Sequence, residues 1–155
     1  MIDELDFTIA AHLRRYGREN LTTMSRSTAI PVSTIYDRMK LHEGKLFCRY
    51  TVLLDYARLG YQTRACIFVK AGKNQKDNLK EYLLKHSHVN SVSRVNNGFD
   101  FMVETIFRTL KDMEDFLTQL ETTHGVKNPE IHYVIEDLKR ETFLTNPNIV
   151  QLLIT

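Results

Sequence analysis

The sequence predicts an α+β protein in two parts: an N-terminal winged helix–turn–helix over residues 1–60 and a C-terminal ferredoxin-like βαββαβ unit over residues 61–155. Three observations predict it. Residues 21–46, LTTMSRSTAIPVSTIYDRMKLHEGKL, read as a short helix, a break, a second helix and the start of a basic extended segment. After the first 60 residues the patterning changes to strand, helix, strand, strand, helix, strand, the split βαβ order. The charge follows the same division. Residues 1–60 hold nine Lys/Arg against seven Asp/Glu, whereas residues 61–155 hold twelve of each, so the whole net charge of +2 sits in the first part.

Residues 3–16 form the first expected helix, with Leu5, Ile9, Leu13 and Tyr16 recurring at helical spacing. Asp3, Glu4 and Asp6 at its start and Arg14 and Arg15 at its end suit the helix dipole, and Gly17 ends it. Residues 21–27 form a second, short helix, for which Thr22 or Thr23 is the expected cap. After a turn over 28–31, Pro31 takes the first helical position and the next helix runs over 32–43. Ile35 and Met39 point inward, with Leu41 or His42 continuing the stripe. Ser33, Thr34, Tyr36, Asp37, Arg38 and Lys40 fall largely on the other face. Short hydrogen-bonding side chains, an aromatic ring and two cations are the set that reaches base edges and phosphates from a helix in the major groove. An ion pair of Arg38 with Asp37 or Glu43, and packing of Tyr36 on the core, are the structural alternatives. Gly44 closes the helix. Residues 46–54, LFCRYTVLL, read as a wing strand with Lys45 and Arg49 on its exposed side. Residues 55–60 are a connector.

In the second part, residues 65–70 (ACIFVK) are strand-like and residues 74–86 helical, with Leu79, Tyr82 and Leu83 inward. Residues 89–95 alternate Val with Ser or Asn, as a strand with one buried face does. Asn96-Asn97-Gly98 signals a hairpin turn into a strand over 99–107. Residues 110–124 are the clearest helix in the chain: Met113, Phe116, Leu117 and Leu120 sit at i, i+3, i+4 and i+7, and Gly125 stops it. Residues 130–135 are the last strand. The tail NIVQLLIT after Pro147 is apolar for a chain end and is expected to dock.

No run of about 18 apolar residues offers a membrane span. The start MIDELDFTIA lacks the basic region of a signal peptide, and Cys48 and Cys66 do not make a disulfide framework, so a reducing cytoplasm is the expected setting. The six histidines (His12, His42, His86, His88, His124 and His132) show no HxxxH or HExxH spacing. Neither a GxSxG, a Walker loop nor a GxGxxG occurs. No catalytic residue, cofactor or metal is expected.

LDFTIAAHLRRYGR near the start, STIYDRMKL in the second helix of the helix–turn–helix, YTVLLDYARLGY at the link, and NGFDFMVE and HGV in the second half occur in the order and spacing of one family. On these residues the chain resembles the Lrp/AsnC (feast/famine) transcriptional regulators. The resemblance implies a DNA-binding first domain, a ligand-binding and oligomerisation (RAM) second domain, and assembly into homodimers and often octamers. It also implies an amino acid or related small effector. Ser33, Thr34, Tyr36, Arg38, Lys40, Lys45 and Arg49 are the expected DNA contacts. Asn97, Gly98, Phe99 and Asp100, with His124 and Gly125 as a further wall, are the expected effector contacts. A glycine turn exposes amides that can hold a carboxylate, and Asp100 offers an acceptor to an α-amino group. The chain departs from the family pattern at Thr8, Ala29 and Pro31, and is one residue short between Arg38 and the wing. Two rivals follow: an enzyme like the siroheme decarboxylases, which tetrapyrrole titration would reveal, and a ligand-sensing assembly protein whose helix–turn–helix no longer binds DNA.

Overall fold

The computed structural model of the chain describes residues 2–153, without the side chains of Gln151 and Leu153. The chain divides into two compact units: one holds residues up to Leu53 and from Leu138 onward, the other Leu54–Asp137. The sequence expectation placed everything after residue 60 in a single second domain. The structure instead returns the C-terminal segment to the first unit, because its apolar end packs there.

In the first unit, α1 spans Glu4–Arg15, α2 Leu21–Thr28 and α3 Val32–His42. Asp3 and Asp6 close a capping box at the start of α1, each carboxylate accepting the other's amide. The inward face of α1 is Asp6, Ile9, Ala10, Ala11 and His12, while the expected Leu5 and Tyr16 are 37% and 45% exposed. The stripe is rotated because a carboxylate occupies one of its inward positions. Asn20, not Thr22 or Thr23, caps α2, its Oδ1 accepting the Thr23 amide at 2.8 Å. Ala29 ends α2 in the left-handed region, φ 58°. Pro31 sits at the N-cap of α3 and offers no side-chain cap. Ile9, Met24, Ile30 and Ile35 form the core, with Leu13, Leu21, Met39 and Phe47 against it. His42 continues the α3 stripe, and Leu41 is exposed.

The wing strand expected over 46–54 does not form. One isolated bridge, Glu43 to Phe47, is the only ladder contact there, and Leu46, Tyr50, Val52, Leu53 and Leu54 are all exposed. A strand needs a neighbour to satisfy its backbone, and none lies beside it among the described residues.

The tail docks on α1 through a 3-10 turn, Pro147–Ile149, and a short α6, Val150–Leu153, with Val150 only 2% exposed. The Arg14 guanidinium holds the approach, donating to the carbonyls of Phe143 (2.7 Å) and Glu141 (3.1 Å) and pairing with the Glu141 carboxylate at 2.8 Å. Ile154 and Thr155, part of the same expectation, lie outside the described residues.

The second unit is one antiparallel sheet of β1 (Thr63–Val69), β2 (Val89–Arg94), β3 (Phe101–Phe107) and β4 (Glu130–Tyr133), in the order β2-β3-β1-β4. Helices α4 (Lys76–Lys85) and α5 (Leu110–His124) complete the βαββαβ order. Ala65, Ile67 and Val69 alternate inward from β1, and Phe101, Val103 and Phe107 from β3. They meet Leu79 and Leu83 of α4 and Met113, Phe116 and Leu120 of α5 in one core. Apart from Ala65, each of these buried side chains contributes on the order of 2 kcal/mol. Thr109 and Asp112 form a capping box on α5, and Gly125 ends it at φ 63°. The β2–β3 hairpin turns through Asn97 (φ 62°) and Gly98 (φ 93°), a pair of left-handed positions that Asn-Gly tolerates.

Candidate functional site

The outward face of α3 carries Ser33, Tyr36, Asp37 and Lys40, all exposed; Thr34 is partly buried. The Lys40 ammonium lies 5.5 Å from the centroid of the Tyr36 ring, one turn earlier. Lys45 and Arg49 are exposed on the irregular segment that follows. The sequence therefore placed Ser33, Tyr36, Lys40, Lys45 and Arg49 on accessible surface correctly.

Arg38 is different. Its guanidinium points at α1, donating to both Asp6 oxygens at 3.1 Å and pairing with Asp3 at 2.8 Å. The acidic partners are Asp3 and Asp6, not the Asp37 or Glu43 of the ion-pair alternative. Asp6 is fully buried, and His42 Nε2 lies 3.0 Å from its Oδ1, outside hydrogen-bond alignment. Desolvation pushes Asp3 up, but the Asp6 amide and the Arg38 guanidinium outweigh it and hold the Asp3 carboxyl below the usual range. The pairing with Asp3 likewise raises Arg38, keeping it charged. A buried carboxylate is tolerated only when paired and hydrogen-bonded, so Arg38 locks α3 onto α1. The guanidinium expected on the DNA-facing side is thus engaged with the α1 carboxylates. The signal was in the sequence: Asp6 occupies an inward position of the α1 stripe, three residues before Ile9.

In the second unit the structure brings the two expected effector elements together around one segment, 69–72. Asp100 donates its amide to the Val69 carbonyl at 2.9 Å, and its Oδ2 accepts the Ala71 amide at 3.0 Å. Its Oδ1 pairs with Lys76. The Lys76 contact, set against desolvation, holds the Asp100 carboxyl below the usual range. On the other side, the Gly72 amide donates to the His124 carbonyl at 3.2 Å. A Cβ on Gly72 would stand 2.9 Å from that carbonyl oxygen, so only glycine permits the approach. Asn97 and Gly98 are exposed, and the Phe99 ring packs on Phe68 at 5.7 Å. The Asp100 expectation changes: its carboxylate already has partners. Gly72 and Lys76 were missed: residues 71–73 fell between the expected strand and helix and carried no assignment.

A model of the Lrp/AsnC ligand-binding domain matches residues 64–144, more than half of the chain. The chain belongs to the Lrp/AsnC family. It is 29% identical over 141 residues to an uncharacterised HTH-type transcriptional regulator of Pyrococcus furiosus, covering 90% of this chain and 95% of that one. It is 26% identical to the HTH-type transcriptional regulator FL11 of Pyrococcus horikoshii, covering 92% and 95%. Among solved structures it superposes on a Neisseria meningitidis transcriptional regulator in complex with L-Met, with a TM-score of 0.81 at 21% identity, covering 90% and 94%. E. coli AsnC gives 0.81 at 15% identity, covering 93% and 99%. These two likenesses establish the fold. No enzyme family is among these relatives.

The histidines of the second unit of this Lrp/AsnC protein are packed among aromatic rings. His124, 7% exposed, lies with its ring 4.7 Å from that of Tyr82, and His86 sits 4.8 Å from Phe116 and 5.7 Å from His88. Neither His124 ring nitrogen has a hydrogen-bond partner among the described residues. Burial lowers the His124 and His86 pKa values, with His88 adding to the latter. His124 is thus packing in the α4–α5 layer, and Gly125 is the helix stop beside Gly72. The described residues contain no group of three or more His, Cys, Asp or Glu placed to hold a metal. No helix among them is long and apolar enough to cross a membrane.

Proposed function

We propose that this Lrp/AsnC protein is a sequence-specific DNA-binding transcriptional regulator whose affinity responds to an amino acid or related small effector. The observation that carries the DNA reading is the division of α3. Ile35, Arg38 and His42 are committed to α1 and the core, while Ser33, Tyr36 and Lys40, followed by Lys45 and Arg49, stand in solvent. A helix seated rigidly on one face and polar on the other suits insertion into a major groove. Ser33 and Tyr36 offer hydrogen bonds to bases, and the three cations offer phosphate contacts.

Among the described residues, the largely exposed segment 46–53 pairs with no strand beyond the isolated Glu43–Phe47 bridge. A second copy presenting the same segment satisfies both, which supports a homodimer as the binding form. Two copies of α3 would then enter successive major grooves about 34–36 Å apart. The effector is assigned to the end of the second unit where residues 97–100 and 124–125 converge on 69–72. Because an effector acts only through differential affinity for two states, its binding must change how tightly the protein holds DNA.

Selection of bound sequences from random DNA tests the reading. The expected result is a palindrome with half-sites one helical turn apart; recovery of no enriched sequence contradicts it.

A further inference from the structure

The chain passes between its two units twice, after Leu53 and after Asp137. Linked domains reorient unless something holds their linkers. In the second unit both crossings end on one side chain. Arg64, near the start of β1, has a side chain only 14% exposed. Its Nη1 donates to Asp137 Oδ2 at 2.7 Å and its Nη2 to Asp137 Oδ1 at 3.3 Å, a two-point grip on the last residue before the chain leaves. Its guanidinium also lies 5.1 Å from the centroid of the Tyr56 ring, two residues past Leu54, where the chain enters. The same Nη2 reaches Glu104 Oε1 of β3 at 3.4 Å. The other Glu104 oxygen accepts from Asn90 Nδ2 at 2.8 Å and from Ser91 Oγ at 3.1 Å, both on β2. Entry, exit and three strands thus meet at a single guanidinium. Ion pairs held mostly out of water are screened less than surface pairs, so this junction keeps its grip in salt.

Resting on the DNA-binding reading above, we propose that Arg64 is a positioning residue: by gripping both crossings at one point of the sheet, it fixes the distance at which the two reading helices of a dimer meet their half-sites. A planar fork is needed for this, because it holds Asp137 at two points, reaches Glu104 and lies against a ring at once. A shift of β1 or of Glu104 then moves both crossings together. The second unit thereby sets operator spacing without touching DNA.

Fluorescence anisotropy of the full chain on three duplexes tests this: the selected palindrome, the same half-sites moved apart by about five base pairs, half a helical turn, and one isolated half-site. The parent chain is expected to hold the first roughly tenfold or more tighter than the second. Arg64→Gln and Asp137→Ala are expected to lose most of that ratio and to keep the parent's affinity for the isolated half-site. Trypsin supplies the control for folding. Cleavage after Arg58 and Lys139, beside the two crossings, is expected to accelerate in both variants, while cleavage after Lys85, at the end of α4, keeps the parent's rate. Variants that keep the parent's spacing ratio overturn the proposal and leave the DNA reading in place. A parent chain that binds both spacings alike overturns the two together. If Arg64→Gln is also cut faster after Lys85, its second unit is loosened as a whole, and Asp137→Ala decides the proposal by the same ratio.

Discussion

At the scale of single residues, Arg38 and Ala29 decide how the reading helix is held. Arg38 neutralises a carboxylate that has no access to water, so removing it leaves Asp6 buried and unpaired. Arg38→Ala should cost about 3 kcal/mol of stability, the penalty for orphaning a buried charge, read as a lowered urea midpoint. An unchanged midpoint would mean that the Asp6 cluster does not seat α3. Lys40→Ala makes the contrast: stability stays within about 0.5 kcal/mol. Its DNA affinity should fall on all sequences, and the salt slope should drop by about one. Ala29 pays for a left-handed backbone that glycine would adopt freely. Ala29→Gly should therefore stabilise the first unit by about 1 kcal/mol, measurable by thermal unfolding. A loss of stability would show that the loop relaxes differently from the α2 end described here.

At the scale of elements, the legible parts were those with a strong period or a stop signal. The α5 helix matched its expected limits because Met113, Phe116 and Leu120 sit on one stripe between a Thr109 cap and Gly125. The hairpin was legible from Asn97-Gly98. What was not legible were contacts between residues far apart in sequence. The wing failed because an apolar run reads as a strand whether or not a neighbouring strand exists, and among the described residues no strand pairs with segment 46–53 beyond the isolated Glu43–Phe47 bridge. Ile9 and Leu13 face the core as expected, but Leu5 and Tyr16 do not, because a buried Asp6 scores as polar until Arg38, 32 residues on, is seen to reach it. His124 and His86 belong to the same class, ordinary in sequence but buried among rings in the structure. Their pKa values lie below the ordinary imidazole value in the folded chain, so the unfolded chain binds more protons as pH falls. Stability of the second unit is then full above about pH 6.5 and lost as pH drops through and below that point. His124→Gln should flatten that decline between about pH 7 and 5, followed by thermal unfolding. A decline of the same steepness in the variant would remove His124 as its source.

At the scale of the whole molecule, the chain's order along the sequence and its order in space differ at the C-terminus. The tail from Leu138 onward belongs with the helix–turn–helix, held by Arg14 and by Val150 on α1. Ending the chain at Asn146 should cost the first unit on the order of 2 kcal/mol through the lost Val150 burial, while the second unit melts as before. Equal melting of the full and shortened chains would show the tail to be dispensable. The central claim is that the exposed face of α3 reads DNA. Its most direct test is fluorescence anisotropy with the selected palindrome and a scrambled duplex of equal length, comparing the full chain with Tyr36→Ala and Ser33→Ala at fixed salt. The account predicts tighter binding to the palindrome by the parent chain and a loss of about 1–3 kcal/mol of that preference in the variants, with folding intact. Equal affinity of the parent chain for both duplexes, or variants that keep its full preference, would contradict it.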